Sequence, residues 1–367
     1  MILSFEGAVL NAPGETLKIV EVSADTLRPD DVLVRMVASG ICHTDLFIQA
    51  GNAPIPMPII LGHEGSGIVE RVGHDVTEFD PGDAVAMTFM SCGQCPACGA
   101  DRPAHCEQFV TLNIIGRRAD GSSALSRDGE SVGGHFFGQS SFARYSVANR
   151  RNLVKVGTEV PLELTGPFGC GIQTGAGAIF NTLSATPGDS LAVFGGGAVG
   201  LSAIMAAKVI GCSPIILVEP HRERRALALE LGATHVFEPG GDAVLEKIRE
   251  ATAGGAKLIV DTTGSAPVIN DALQVLGKGG KFGLVGLSKA SAMATFSIAG
   301  LMGQGASIHS VIEGDSDPRR FIPFLIDLFL KGKFPVDRLV QFYDFADIND
   351  AIADQRSGKV IKAILRF

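Results

Sequence analysis

The stretch Leu191-Ala192-Val193-Phe194-Gly195-Gly196-Gly197-Ala198-Val199-Gly200 runs on through an apolar segment to Lys208. It then reaches Pro214-Ile215-Ile216-Leu217-Val218-Glu219, and its reading decides the fold. It reads as a buried strand, a G-x-G-x-x-G turn, a helix, and a second buried strand ending in a carboxylate. Glycine-rich turns are common in a chain with 46 glycines, so the motif alone says little. Its setting says more: a strand before, a helix after, and an acid 24 residues beyond Gly195. Gly195 permits the tight turn, Gly197 lets the backbone approach a pyrophosphate, and Gly200 lets helix and strand pack closely. The N–H groups bared at the helix start are placed to hold phosphates. Glu219 is suited to accept hydrogen bonds from a ribose diol and to repel a 2′-phosphate, which favours NAD over NADP. The bland alternative is a buried βαβ unit with no ligand. A membrane span is argued against by the three opening glycines and by Lys208, Pro214 and Glu219.

Outward from this unit, 367 residues are enough for two domains with separate cores. Apolar residues make up 46% and charged ones 19%, as in ordinary soluble α/β proteins. The net charge of −8 argues against a nucleic-acid or anionic-membrane partner. Met1-Ile2-Leu3-Ser4-Phe5-Glu6 has no basic start and no long apolar core, so no secretory signal is expected and the location reads as cytoplasmic. Seven cysteines without such a signal point to metal ligands or redox thiols before disulfides.

Residues 1 to about 90 read as short strands separated by Gly, Pro and Asp turns, the pattern of a β-rich, barrel-like domain. The segment from Arg117 to Gly134 is polar and glycine-rich, a surface hairpin or loop. After the glycine fingerprint, helices near Arg224–Leu231 and Val268–Leu276 alternate with strands at Leu258–Asp261 and Lys281–Gly286, which means a doubly wound parallel sheet. A further helix is expected at Ile172–Leu183. The tail carries helices at Phe321–Leu330 and Asp347–Gln355 and a last strand at Ile361–Phe367, expected to pack back on the first domain.

Two sets of residues carry metal chemistry. Cys92, Cys95, Cys98 and Cys106 lie within fifteen positions, and the C-x-x-C steps let thiolates wrap one tetrahedral ion. Four sulfurs close the coordination shell, so the site is structural. An iron–sulfur cluster lacks its usual flanking spacing here, and a redox dithiol does not need four cysteines. The second set is Cys42-His43-Thr44-Asp45 with Gly62-His63-Glu64-Gly65. Either piece alone fits a buried small hydrophobe or a paired core histidine. Together they suggest a second metal site, with the carboxylate binding or orienting. Cys170, in Pro167-Phe168-Gly169-Cys170-Gly171, falls where the β-rich part hands over to the nucleotide-binding part. Cys212 reads as a packing residue.

With these elements in this order, the whole chain resembles the zinc-dependent medium-chain alcohol dehydrogenases. The resemblance implies an α/β protein with a GroES-like catalytic domain carrying the structural zinc lobe (residues 1–171), a Rossmann NAD-binding domain (172–311), and a C-terminal segment (312–367) returning to the catalytic domain. Substrate would lie between the domains. It implies two Zn2+ per chain: a catalytic one on Cys42, His63 and Cys170, with Glu64 as a ligand or outer partner, and a structural one on Cys92, Cys95, Cys98 and Cys106. It also implies that Asp45 hydrogen-bonds His63, that Thr44 receives the alcohol proton, that His43 and Lys362 approach the cofactor pyrophosphate, and that Thr174 lies near the nicotinamide. Phe47 stands where a relay histidine is usual, which leaves His43 as the available imidazole.

Within the family, Gly169-Cys170-Gly171-Ile172-Gln173-Thr174-Gly175 and Phe137-Gly138-Gln139-Ser140-Ser141-Phe142 look most like the aryl-alcohol dehydrogenases, with geraniol dehydrogenases nearly as good a match. The implied reaction is reversible, NAD-linked oxidation of a benzyl-type primary alcohol to its aldehyde by a homo-oligomer, dimer or tetramer. A formaldehyde or glutathione-adduct dehydrogenase is a rival. So is a non-catalytic zinc or dinucleotide-binding relative, which loss of Cys42, His63 or Cys170 would have favoured.

Overall fold

The computed structural model of the chain describes residues 3–367 and divides by packing into two units. The first runs through Cys170 and adds Asp317–Leu330 and Val336–Phe367; the second is Gly171–Ser316 with Lys331–Pro335.

The first unit is mostly β. Its larger sheet is ordered Leu153–Lys155, Ala84–Met87, Glu64–Val72, Asp31–Gly40, Lys362–Arg366 and Val340–Asp344, with Tyr145–Asn149 also paired to Asp31–Gly40. The Asp31–Gly40 strand is apolar on both faces. Val32, Val34 and Met36 enter one cluster with Val69, Val85 and Met87, while Leu33 enters another with Phe5 and Val147. Side chains alternate across a strand, so a nearly continuous apolar run feeds two cores. A five-stranded sheet is ordered Ile59–Ile60, Leu3–Leu10, Lys18–Ala24, Leu125–Arg127 and Glu130–Val132. Its last two strands lie in the polar Arg117–Gly134 segment and are joined at Asp128 (φ 53°) and Gly129 (φ 83°). Two successive left-handed residues match the twist of a tight hairpin. The chain's last strand runs antiparallel to Asp31–Gly40, with Ile364 opposite Gly40.

The second unit holds a six-stranded, all-parallel sheet ordered His235–Phe237, Ile215–Val218, Leu191–Phe194, Ala256–Asp261, Leu276–Leu284 and Ser307–Ser310. The order reverses at Leu191–Phe194, where open α/β sheets bind ligands outside the carboxyl ends of their strands. The helix Ala198–Ile210 follows, buried along nearly all of its first three turns and closed by Gly211 in a left-handed conformation (φ 93°). This burial explains its scarcity of charge.

Two elements differ from the sequence reading. The expected helix Ile172–Leu183 is helical only over Gly171–Gly177 and then widens into a π turn, in which Leu183 N–H donates to Ala178 O at 2.9 Å. Here Gly177 packs against Gly314, with a Cβ at Gly177 reaching 2.2 Å from the Gly314 carbonyl oxygen. The helix expected over Val268–Leu276 spans Ala266–Leu273, and the next strand starts at Leu276 instead of Lys281. Leu276 pairs with Ala256 across a bulge, and Gly277, Gly279 and Gly280 lie inside this strand. Gly277 is needed there because the backbone of Gly255 comes close. Among the described residues no helix is long and apolar enough to cross a membrane.

Candidate active site

Strand register brings the first metal group together. Gly40 pairs with Glu64, so Cys42, two residues past one strand, meets His63, one residue before the other. Cys42 caps the helix His43–Gln49. Cys170 arrives on the turn Gly166–Gly169, which needs its glycines: a Cβ at Gly166 would sit 2.1 Å from the Glu64 carbonyl oxygen and one at Gly169 1.8 Å from that of Met87. Thr88 Oγ1 donates to the Gly169 carbonyl at 2.7 Å and holds the turn in place.

All three ligand atoms of Cys42, His63 and Cys170 lie within 4.8 Å of one another, and all three residues are buried. The two sulfurs are 4.0 Å apart. Zinc–sulfur bonds of about 2.3 Å place two thiolates about 3.8 Å apart on a tetrahedron, so the spacing fits. Asp45 organises the group with one carboxylate. It accepts from Cys42 N–H at 2.9 Å and Gly62 N–H at 3.0 Å, and its Oδ1 lies 3.0 Å from His63 Nδ1. That contact puts the ring proton on Nδ1 and leaves Nε2 as the donor atom for a metal. Nε2 is buried and has no hydrogen-bond partner among the described residues.

The electrostatics agree. Burial would push the His63 imidazole down, but Asp45 and the Cys42 sulfur hold it well above its ordinary value. A hydrogen bond from Cys170, helped by the His63 charge and opposed by burial, holds the Cys42 thiol well below its ordinary value. An acidified thiol beside a cation-seeking imidazole is a donor set that a zinc ion satisfies.

Glu64 and Lys362 form a buried ion pair next to this group. Lys362 Nζ lies 2.8 Å from both Glu64 carboxylate oxygens and 2.9 Å from the Ile41 carbonyl, and both residues are buried. Glu64 thus lies beside the Cys42–His63–Cys170 group with Lys362 as its partner. A buried carboxylate and a buried ammonium are each costly alone, and each has taken the other as partner. Burial pushes the Glu64 carboxyl up to about 7 against the pull of Lys362. Gly40 makes room for this pair, since a Cβ there would meet Glu64 Oε2 at 2.1 Å. Thr44 Oγ1 is 3.8 Å from Cys42 Sγ. His43 opens its helix with an exposed side chain, and Phe47 packs on the apolar core.

The second group is Cys92, Cys95, Cys98 and Cys106, whose sulfurs also lie within 4.8 Å of one another. Cys92 and Cys98 sulfurs are 3.9 Å apart, again a tetrahedral edge. Cys92 Sγ accepts from Cys95 N–H at 3.4 Å, and Cys106 Sγ from Cys92 N–H at 3.3 Å. The N–H groups of Cys98 and Glu107 bring Cys95 down to about 6, while burial pushes Cys106 up to about 12. Four converging sulfurs with no fourth-position vacancy fit a closed structural zinc.

In the second unit the glycine turn has the shape its motif demands. Gly195 is left-handed (φ 100°), and a Cβ at Gly200 would lie 1.9 Å from the Gly195 carbonyl oxygen. A Cβ at Gly197 would face open space at the start of the Ala198–Ile210 helix, which leaves the backbone open to a phosphate. Glu219, buried at the end of its strand, accepts from Gly196 N–H at 2.6 Å and His221 N–H at 2.9 Å. Thr174 lies on the Gly171–Gly177 helix.

The Phe137–Phe142 segment, to which the sequence alone assigns no individual roles, packs against the same site. Phe137 stacks on His63 with ring centroids 4.4 Å apart, and Phe136 meets the same ring edge-on at 5.4 Å. Gln139 ties the segment to the site: it accepts from Gly65 N–H at 3.0 Å and donates to His63 O at 2.9 Å. A histidine motif offered no signal for partners 74 residues downstream.

A β-rich unit with a three-ligand and a four-ligand metal group, and a second unit with a dinucleotide-type sheet, define a zinc- and nicotinamide-dependent dehydrogenase. Residues 28–158 match the alcohol dehydrogenase GroES-like domain and residues 198–331 the zinc-binding dehydrogenase domain. A geraniol dehydrogenase from Castellaniella defragrans is 46% identical over 367 residues, 100% of this chain and 98% of that one. Among solved structures, an alcohol dehydrogenase zinc-binding domain protein from Burkholderia ambifaria is 46% identical with a TM-score of 0.98, covering 100% of both chains. A benzyl alcohol dehydrogenase from Acinetobacter calcoaceticus is 42% identical with a TM-score of 0.96, covering 100% of this chain and 99% of that one. The chain belongs to the zinc-dependent medium-chain alcohol dehydrogenases.

Proposed function

We propose that the protein oxidises benzyl-type primary alcohols reversibly to aldehydes with NAD+. The observation that carries this is the aromatic setting of the Cys42–His63–Cys170 group. Phe137 lies on His63, Phe109 meets Phe137 at 6.2 Å, and Phe89 meets Phe109 at 5.8 Å. An aromatic, apolar setting of this kind beside the ligand group supports a flat apolar substrate over a charged peptide adduct. A second reading, allylic terpenoid alcohols, is favoured by the geraniol dehydrogenase relative. Both are alcohols whose carbinol carbon is bonded to an unsaturated carbon.

When bound, zinc supplies a Lewis acid for the alcohol oxygen and the nicotinamide accepts the hydride. Cys42, His63 and Cys170 would hold the ion with a fourth position open. Asp45 fixes the histidine tautomer and the Cys42 backbone together. Thr44 takes the hydroxyl proton and passes it on. Glu219 and the glycine turn select and seat the dinucleotide. Cysteines that read as metal ligands and a packing residue suit a reducing compartment, so a cytoplasmic location belongs to the same reading. A homo-oligomer does too: the sheet-edge strand Ser307–Ser310 neighbours a run in which Met293, Phe296, Ile298 and Met302 are exposed.

The test is a steady-state survey of benzyl, cinnamyl, geranyl and short aliphatic alcohols with NAD+. Unsaturated alcohols should exceed 1-propanol in kcat/KM by about tenfold or more, the scale of a well-filled apolar pocket. Equal values for propanol and benzyl alcohol would overturn the substrate class, and a glutathione adduct of formaldehyde as best substrate would replace it.

A further inference from the structure

We propose that Phe137 is a positioning residue for the zinc held by Cys42, His63 and Cys170: its ring fixes the plane of the His63 imidazole so that Nε2 stays aimed at the two sulfurs. The proposal rests on the reading of that group as a zinc site.

A histidine ligand has two side-chain torsions to settle. Asp45, at 3.0 Å from Nδ1, fixes where the ring's Nδ1 edge points, but one hydrogen bond leaves the ring free to tilt about it. Phe137 removes that freedom. The two rings are 4.4 Å apart and 23° from parallel, an offset stack, and Phe136 closes on the same imidazole at 84°. With one face covered, one edge met and Nδ1 bonded, the imidazole has one remaining direction for Nε2.

The segment is built to hold Phe137 there. Its backbone is left-handed (φ 49°), a conformation that bulky L residues avoid and that persists where surrounding contacts enforce it. Hydrogen bonds and close packing enforce it. Asn152 Nδ2 donates to the Phe137 carbonyl at 3.0 Å. Gly138 follows at φ 66°, and a Cβ there would meet the Asn152 amide at 2.6 Å. Phe136 N–H donates to Ser140 Oγ at 2.9 Å, and that hydroxyl donates to the Ile60 carbonyl at 2.7 Å. Gln139 then holds the His63 carbonyl from the side chain two residues on. Strained backbone, a glycine with no room for a side chain, and hydrogen bonds to both ends of the His63 peptide segment all converge on one ring-to-ring contact.

The experiment compares wild type, Phe137→Leu and Phe137→Tyr as full-length, zinc-loaded protein. Leucine keeps apolar bulk but loses the flat face; tyrosine keeps the face. The main readout is release of zinc to a chromogenic chelator, followed in time, with melting temperature as the control for folding. Wild type should release two zinc ions per chain in separate phases. Phe137→Leu should speed one phase about tenfold or more and leave the other unchanged, the scale seen when a partner that orients a ligand is lost. Phe137→Tyr should release both ions at the wild-type rates. The cobalt-substituted proteins give a second readout, since a tilted imidazole changes the visible absorption of the same site in the leucine variant only. A folded Phe137→Leu protein with both phases unchanged, or a tyrosine variant as leaky as the leucine one, overturns the proposal. A wild-type protein that carries a single zinc overturns the site reading instead.

Discussion

Replacing Glu219 by alanine should reverse or narrow the choice of cofactor, and the structure sets the scale. Both Glu219 oxygens already accept backbone N–H groups, from Gly196 at 2.6 Å and His221 at 2.9 Å, so the carboxylate is fixed before any ribose arrives. A hydrogen bond to a charged acceptor contributes about 1.5–3 kcal/mol, and each 1.4 kcal/mol is a factor of ten. Loss of the ribose contact should therefore weaken NADH binding about 10- to 100-fold. The same change removes a negative charge from the place a 2′-phosphate would occupy and exposes two N–H donors that suit one. Arg224 is within electrostatic reach of Glu219, and Arg222 lies two residues before it on the same helix. NADPH binding should strengthen, so the ratio of the two affinities should move by more than the loss for NADH alone. Fluorescence titration with NADH and NADPH measures both, and melting curves check that the Gly196 turn survives. Glu219→Gln separates the terms, because it keeps one acceptor and drops the charge. An unchanged ratio in both folded variants would show that Glu219 does not face the ribose.

Cys170→Ser should abolish alcohol oxidation and leave one zinc per chain in a folded protein, while Cys106→Ser should impair folding, because a closed four-sulfur shell holds the lobe together; a folded, active, fully loaded Cys170→Ser protein would refute the assignment. His135 gives a pH prediction. Burial, with the nearby Arg118 and Arg28 charges, pushes this imidazole down to about 3, and it accepts from Ala124 N–H while neutral. The folded value lies below the unfolded one of about 6.5, so the unfolded chain binds the extra proton between them. The stability tied to neutral His135 is fully present above about 6.5 and is lost as pH falls toward about 3, at about 1.4 kcal/mol per pH unit. Between pH 7.5 and 5 the apparent melting temperature should fall further for wild type than for His135→Gln, and equal falls would refute the burial argument.

Much of this protein is written in local sequence. The strand, glycine turn, helix and acid from Leu191 to Glu219 depend on neighbours within a few turns of chain, so their residues announce them. The C-x-x-C steps do so as well, because a tetrahedral ion fixes the spacing of ligands on one loop. The need for glycine at Gly200 is local for the same reason: the clash that excludes a side chain there is with Gly195 itself.

What only the tertiary structure decided involves partners far apart in the chain. Lys362 and Glu64 are 298 residues apart and meet because the last strand pairs with Asp31–Gly40, which pairs with Glu64–Val72. Each residue alone reads as a charge looking for a ligand. Burial together turned them into each other's counter-ion, and no spacing rule reports that. Phe137 is the same case in apolar form: a phenylalanine in a glycine-containing loop has no signature until folding lays it on His63. Likewise, local propensity runs the helix on to Leu276, whereas the pairing of Leu276 with Ala256 that starts a strand there is not local. Local sterics and ligand spacing act within reach of the chain's own neighbours. Charge pairing, ring stacking and strand register act across the fold, and only the folded chain supplies the contacts that set them.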